Sequence, residues 1–194
     1  MIRRKLTVNE VAEACGTGFL AVRQWITGGR LRATRIPGRP DYQVELDDLL
    51  DFLKANAMPV PRRLSTMGHR ILIVDDDECM ARLIELHLKQ AGFEARSAKD
   101  GFVGGAMLES YRPTLMTLDI LMPGMDGMGV LRFIRSKPHF AGMKILVVSA
   151  LAPEKLAEAL EAGASDVLRK PFEPEALVDR IFALAGGPVP AGVA

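Results

Sequence analysis

The chain has 194 residues, 48% of them hydrophobic and 25% charged, with a net charge of +1; this is ordinary globular composition, enough for one domain or two. No apolar run approaches the roughly 18 residues of a membrane span, and the basic start Met1-Ile2-Arg3-Arg4-Lys5 leads into a polar, helix-capping segment rather than the apolar stretch of a secretion signal. The two cysteines, Cys15 and Cys79, read as free thiols of a cytoplasmic protein rather than as a disulfide or a metal site. Charge is uneven: residues 1–70 carry twelve Lys/Arg against seven Asp/Glu, and residues 71–194 carry thirteen against seventeen. A basic front and an acidic back suggest two domains with different partners.

In chain order, Thr7-Val8-Asn9-Glu10 is a capping box that opens a helix with Val8, Val11 and Ala12 inward, and Gly16 ends it. A second helix is expected over residues 18–26, burying Val22, Trp25 and Ile26, with Gly28-Gly29 closing it. Residues 31–36 and 42–44 flank Pro37-Gly38-Arg39-Pro40 and read as a hairpin. Residues 47–54 form a last short helix with Leu49, Leu50, Phe52 and Leu53 as its apolar positions.

Two short helices around a glycine turn, followed by a basic hairpin, make a winged helix-turn-helix. The runs Leu6-Thr7-Val8-Asn9-Glu10-Val11-Ala12, Val22-Arg23-Gln24-Trp25-Ile26 and Gly29-Arg30-Leu31 resemble the excisionase/MerR-type DNA-binding family. The resemblance implies that the second helix enters the major groove of double-stranded DNA and that the wing touches phosphates. Arg23 and Gln24 would read bases, Arg35 and Arg39 would serve the wing, and Arg3, Arg4 and Lys5 would add phosphate contacts. Phe19 and Leu20 stand where such proteins are usually polar. Two explanations are open: packing against the domain that follows in the chain or against a partner, or contact with thymine methyls.

Residues 55–69 contain Pro59 and Pro61 among small and polar residues, and are expected to be a partly extended linker. Beyond it, short apolar strands alternate with amphipathic helices. Strands are expected over 71–74, 93–97, 115–118, 145–148 and 167–168, and helices over 80–91, 101–110, 128–135, 154–161 and 174–184. Leu83, Ile84, Leu86 and Leu88 mark the apolar positions of the first of these helices, and Gly104 and Gly105 weaken the second. Five such units imply an α/β doubly wound, five-stranded parallel sheet covered on both faces. The domains are then 1–54, a linker at 55–69, the sheet domain at 70–185 and a disordered tail at 186–194.

Strand ends carry the chemistry. The first ends in Asp75-Asp76-Asp77-Glu78, the third in Asp119 and the fourth in Ser149, and Lys170-Pro171 follows the fifth. Ligands of such sheets bind beyond the carboxyl ends of the strands, so these residues converge on one rim. Crowded carboxylates repel unless a hard cation offsets them, and carboxylate and carbonyl oxygens suit Mg²⁺. A lysine and a hydroxyl beside them are what the oxygens of a phosphoryl group need.

The motifs Ile71-Leu72-Ile73-Val74-Asp75-Asp76-Asp77, Leu118-Asp119-Ile120-Leu121-Met122-Pro123-Gly124-Met125-Asp126-Gly127, Val147-Val148-Ser149-Ala150 and Arg169-Lys170-Pro171-Phe172 resemble those of two-component response-regulator receivers, which are flavodoxin-like. Carried over, Asp119 is the phosphoacceptor. Asp76 and Asp119 give side-chain oxygens to Mg²⁺, Leu121 gives its backbone carbonyl, and Asp75 supports the ion. Lys170 and Ser149 bind the phosphoryl group, and Pro171 follows a cis peptide. The resemblance implies a sensor histidine kinase or phosphotransfer protein as donor, and leaves the assembly open, a homodimer included. Two positions depart from the pattern. Val167 stands where the family usually has a switching Tyr or Phe, and Leu121 and Leu151, which flank the site, are both aliphatic.

The expected function is phosphorylation-controlled transcription regulation, without enzymatic activity beyond self-phosphorylation and self-dephosphorylation. The competing expectation is a signalling adaptor whose front module binds a protein instead of DNA.

Overall fold

The computed structural model describes residues 4–124 and 126–186. The expected phosphate contact of Arg3, Met125 of the third-strand motif and the tail from residue 187 onward lie outside the described residues. The chain divides into two units, Met1–Gly68 and His69–Ala194.

The first unit contains β1 (Lys5–Thr7), α1 (Val8–Ala14), α2 (Phe19–Thr27), β2 (Thr34–Arg35), β3 (Tyr42–Glu45), α3 (Leu46–Ala55) and α4 (Arg62–Thr66). The Thr7 hydroxyl accepts from the Glu10 N–H while the Glu10 carboxylate accepts from the Thr7 N–H, which completes the capping box at the head of α1. The three strands pair antiparallel in the order β1-β3-β2. Leu6, Val11, Val22, Leu31, Val44, Leu49 and Leu53 are buried together, and Trp25 tilts onto Phe52 with ring centroids 5.0 Å apart.

Three expectations change here. Strand β1 was not anticipated, because three residues are too few for an alternating pattern to register. The hairpin keeps only two residues of its first strand, since the N–H groups of Arg30 and Leu31 still close α2 on the Trp25 carbonyl, and beyond Ile36 Pro37 and Pro40 offer no N–H to a ladder. The expected linker holds a helix: Pro61 sits at the N-cap of α4, where a missing N–H costs nothing, and Leu64 is buried in this unit's core with Met58, Val60 and Met67 packed against it. Arg63 donates to Glu13 at 2.7 Å and ties α4 to α1.

The second unit alternates without exception: β4 (Arg70–Val74), α5 (Glu78–Gln90), β5 (Glu94–Ala98), α6 (Gly101–Tyr111), β6 (Leu115–Leu118), α7 (Gly127–Arg135), a 3-10 turn (Pro138–Phe140), β7 (Lys144–Ser149), α8 (Pro153–Glu161), β8 (Asp166–Arg169) and α9 (Pro174–Leu184). All strands are parallel, in the order β5-β4-β6-β7-β8. Alternate residues feed two cores. Leu72, Val74, Met116, Leu118, Ile145 and Val147 pack with residues of α6, α7 and α8. Ile71, Ile73, Leu115, Leu146 and Val148 pack with residues of α5 and α9. Each fully buried side chain of this kind contributes roughly 1.5–3 kcal/mol, so both layers hold the sheet.

Within α5 the buried face is Ala81, Ile84 and Leu88, while Leu83 and Leu86 are 42% and 53% exposed. The i, i+3, i+7 stripe through Ala81 admits Ile84 and Leu88, and the other two leucines fall outside it. Asp77 caps α5 by accepting from the N–H groups of Cys79 and Met80 at 2.9 and 3.1 Å, and Asp100 caps α6 through Val103 at 2.8 Å. Among the described residues no helix is long and apolar enough to cross a membrane.

Candidate functional site

Strand order reverses on either side of β4, and a doubly wound sheet opens its crevice at such a reversal. The Asp119 N–H donates to the Val74 carbonyl at 2.9 Å and the Lys170 N–H to the Ser149 carbonyl at 2.9 Å, so strand pairing continues one step beyond the strands into the site. The Lys170–Pro171 peptide is cis. Two glycines shape the loop between Asp119 and α7. Gly124 has φ +72°, which favours glycine, and a Cβ on Gly127 would stand 2.5 Å from the Ile120 Cα, so only glycine lets α7 begin that close to the loop.

Six of the expected site residues, Asp75, Asp76, Asp119, Leu121, Ser149 and Lys170, meet there. The Lys170 Nζ donates to the Oδ2 atoms of both Asp75 and Asp119 at 2.6 Å. The Asp119 Oδ1 accepts from the Ser149 hydroxyl at 2.7 Å and from the Leu121 N–H at 2.8 Å. The Asp75 Oδ1 accepts from the Asp77 N–H at 3.0 Å. Asp75, Asp119 and Ser149 are buried, whereas Asp76 is exposed. Oxygens of Asp75, Asp76 and Asp119 nevertheless lie within 4.8 Å of one another.

The two buried carboxyls respond differently. Burial raises the pKa of Asp75, and its bonds from Lys170 and Asp77 only partly offset this. Burial also acts on Asp119, but Lys170, Ser149 and Leu121 together outweigh it and hold this carboxyl below its usual value. Burial works against the Lys170 ammonium, yet Asp119 and Asp75 overcome it and raise its pKa. The result is an anionic, solvent-shielded Asp119 whose donors come from three different segments.

The donor set suits a hard divalent cation. Three carboxylates face a single ammonium, every available ligand atom is oxygen, and Asp76 keeps one side open to water. Leu121 is 53% exposed beside Asp119. Val167 and Leu151 do not join this polar cluster; both are half-buried and packed against the core shared by α6, α7 and α8. The N–H groups of Leu121 and Asp77 were not foreseen, since a main-chain donor leaves no mark on residue identity.

In the first unit Arg23, Gln24, Arg35 and Arg39 are all exposed, and the three arginines form no ion pair among the described residues. Phe19 is half-buried against this unit's own core, which accounts for it without DNA or a partner; Leu20 is 73% exposed.

The response regulator receiver domain family matches residues 71–182. Over 116 residues the chain is 34% identical to the DNA-binding dual master transcriptional regulator RpaA of Synechocystis sp., covering 59% of this chain and 48% of that protein. It is 39% identical over 122 residues to the transcriptional regulatory protein GltR of Pseudomonas aeruginosa, covering 62% of this chain and 50% of that one. The chain thus spans about half the length of these relatives. Among solved structures, the signal receiver domain of a response regulator from Bermanella marisrubri is similar with a TM-score of 0.56 and 46% identity, covering 59% of this chain and 96% of that one.

Proposed function

The chain belongs to the response regulator receiver domain family, and we infer that Asp119 is its phosphoacceptor and that phosphorylation there controls the front module. The observation that carries this reading is a buried Asp119 kept anionic by Lys170, Ser149 and Leu121 at 2.6–2.8 Å. A carboxylate oxygen of Asp119 attacks the phosphorus of a phosphohistidine on a sensor kinase or phosphotransfer protein; the new O–P bond forms as the P–N bond breaks. The Ser149 hydroxyl and the Lys170 ammonium, both now spent on Asp119, turn to the arriving phosphoryl oxygens. Asp75, Asp76, Asp119 and the Leu121 carbonyl would hold Mg²⁺, which when bound supplies the charge that offsets the transferring oxygens.

The test is phosphorylation by acetyl phosphate with Mg²⁺, followed by intact mass and hydroxylamine sensitivity. The wild-type chain gains one acyl phosphate and Asp119→Asn gains none. An Asp119→Asn chain labelled at the wild-type rate would defeat the assignment.

The output in this reading is transcriptional, in keeping with the DNA-binding relatives. Arg23 and Gln24 read base edges, each bidentate contact contributing about 1–3 kcal/mol to discrimination. Arg35 and Arg39 contact phosphates, so Arg39→Ala weakens binding to all sequences and flattens its salt dependence. One observation favours a protein-binding adaptor instead: Leu20, on α2, presents an apolar side chain that is 73% exposed. Salt-dependent binding of the full chain to genomic DNA fragments, with and without beryllofluoride, decides between the two. Absence of any salt-dependent affinity for duplex DNA hands the module to the adaptor reading.

A further inference from the structure

On α2 the residues that pack into the first unit's core are Phe19, Val22, Trp25 and Ile26. Leu20, Arg23, Gln24 and Thr27 stay exposed, at the spacing of a single helical stripe. At 3.6 residues per turn these four fall within about 100° of arc. Leu20 lies near the middle of that arc, in the first turn of the helix, and is 73% exposed. Exposure by itself means little, since single leucines are common on protein surfaces; the company it keeps is what matters. Among the described residues of the first unit it is the only large apolar side chain so exposed, so no broad apolar patch of the kind that docks a protein surrounds it. Residues 14–40, which include all of α2, hold five arginines and no aspartate, glutamate or lysine. Such a surface suits a polyanion.

The major groove presents one apolar group to a protein, the 5-methyl of thymine, beside the hydrogen-bonding edges that arginine and glutamine match on guanine and adenine. We propose that Leu20 is a specificity-determining residue, seated against the 5-methyl group of a thymine next to the base pairs that Arg23 and Gln24 read. The inference rests on the DNA-binding reading of the front module and deepens it. Side chains three and four apart on a helix stand about 5–6 Å from one another at Cβ, and successive bases about 3.4 Å. The thymine therefore lies one or two base pairs from those read by Arg23 and Gln24. Thr27 closes the stripe, but its hydroxyl donates to the Arg23 carbonyl at 3.0 Å and is engaged with the main chain. Three side chains of different chemistry are left to read the groove, and only Leu20 asks for a methyl.

The test uses the full chain with beryllofluoride. Duplexes that it prefers are selected from a random-sequence pool, and each thymine of the best duplex is replaced singly by deoxyuridine. That change removes the methyl and leaves every hydrogen-bonding group in place. Affinities are then measured by fluorescence anisotropy at one fixed salt concentration. One replacement, one or two base pairs from the positions where Arg23→Ala or Gln24→Ala relaxes preference, is expected to weaken wild-type binding about fourfold, the effect of one methyl no longer buried. Leu20→Ala, at an exposed helical position that alanine suits, should bind the thymine and deoxyuridine duplexes alike, whereas Arg23→Ala should keep the difference. Circular dichroism confirms that the variants fold. Wild-type indifference at every thymine, a loss confined to more distant thymines, or the same loss in Leu20→Ala overturns the proposal while leaving DNA binding intact. A pool that yields no bound duplex overturns the DNA-binding reading and this proposal with it.

Discussion

Replacing Lys170 by Met keeps the length of the side chain and deletes the ammonium that joins Asp75 to Asp119 at 2.6 Å each. The lysine side chain is 14% exposed and the two carboxylates 2% and 7%, so solvent cannot take over its role without rearrangement. Breaking a buried pair by removing one partner costs about 3–5 kcal/mol, because the other partner is left uncompensated. Here the remaining donors Ser149, Leu121 and Asp77 soften the loss, and Asp75, whose pKa is already raised, relieves it further by taking up a proton. The expected loss is thus at the lower end, about 3 kcal/mol. The same change removes a positive charge from beside the carboxylates that would hold Mg²⁺, so the ion should stabilise the variant more than the wild type. At a free concentration about 100 times its dissociation constant, linkage returns about 2.7 kcal/mol. Urea unfolding followed by circular dichroism, with and without Mg²⁺, measures both quantities. A loss below about 1 kcal/mol, outside the range for a broken buried pair, or an equal Mg²⁺ increment in the two proteins, would refute the reasoning.

Three further outcomes are expected. Leu121, exposed beside Asp119, would shield an acyl phosphate formed there under the proposed function, so Leu121→Asn should shorten its lifetime severalfold, whereas Leu151→Glu, at a half-buried position packed on the core, should chiefly destabilise the fold; equal decay of wild type and Leu121→Asn removes the shielding idea. Burial lowers the His69 pKa despite a bond to the Ala185 main chain, so the unfolded chain binds this proton at a higher pH than the folded one, and stability is full above about pH 6.5 and falls as pH drops through the lowered value. His69→Gln should flatten that part of the urea-midpoint profile between pH 7 and pH 5 (about 6.5 being the unfolded midpoint), and an unchanged slope would place the titration elsewhere. Gly163 has φ +107°, and a Cβ there would stand 2.8 Å from the Arg135 Cγ, so Gly163→Ala should cost about 2 kcal/mol of stability by chemical unfolding, part of it through the Arg135 bonds to the Gly163 and Met143 carbonyls; wild-type stability would mean that Arg135 yields freely.

Much of the second unit was legible because its three central strands, β4, β6 and β7, are buried on both faces and read as largely apolar runs, whereas the edge strands β5 and β8 mix exposed and buried residues. The apolar residues of α5 were legible only as a set. Helical spacing picked out Leu83 and Leu86 with Ile84 and Leu88, but only a stripe in register with Ala81 meets the sheet. In the first unit β1 and α4 were hidden for different reasons. Strand β1 is shorter than any periodic signal, and α4 depends on the burial of Leu64 among residues distant in sequence, which no local propensity records. At the site, the strand-end rule brought Asp75, Asp119, Ser149 and Lys170 to one rim. The rule does not reach the main-chain donors Leu121 and Asp77, nor the opposite responses of the two buried carboxyls, since both arise from how many donors each oxygen finds once the chain is folded.

The placement of Val167 bears on how a phosphoryl group at Asp119 would be sensed. Val167 pairs with Val147 inside the sheet and packs on the core beneath α6, α7 and α8, so there is no ring to rotate toward a displaced hydroxyl. The two side chains that would turn to the phosphoryl oxygens, Ser149 and Lys170, are instead coupled through the main chain: the Lys170 N–H donates to the Ser149 carbonyl at 2.9 Å, and Ser149 lies in register with Arg169. A main-chain shift that carries the Ser149 hydroxyl off Asp119 would therefore move the ends of β7 and β8 together, and α8 begins at Pro153, only four residues beyond Ser149. A shift of α8 relative to the sheet is the available response, and it extends only as far as the phosphoryl group's differential contacts with Ser149 and Lys170 favour it. If Asp119 is the phosphoacceptor, main-chain displacement at β7–α8 would take the part that an aromatic side chain at position 167 would otherwise play.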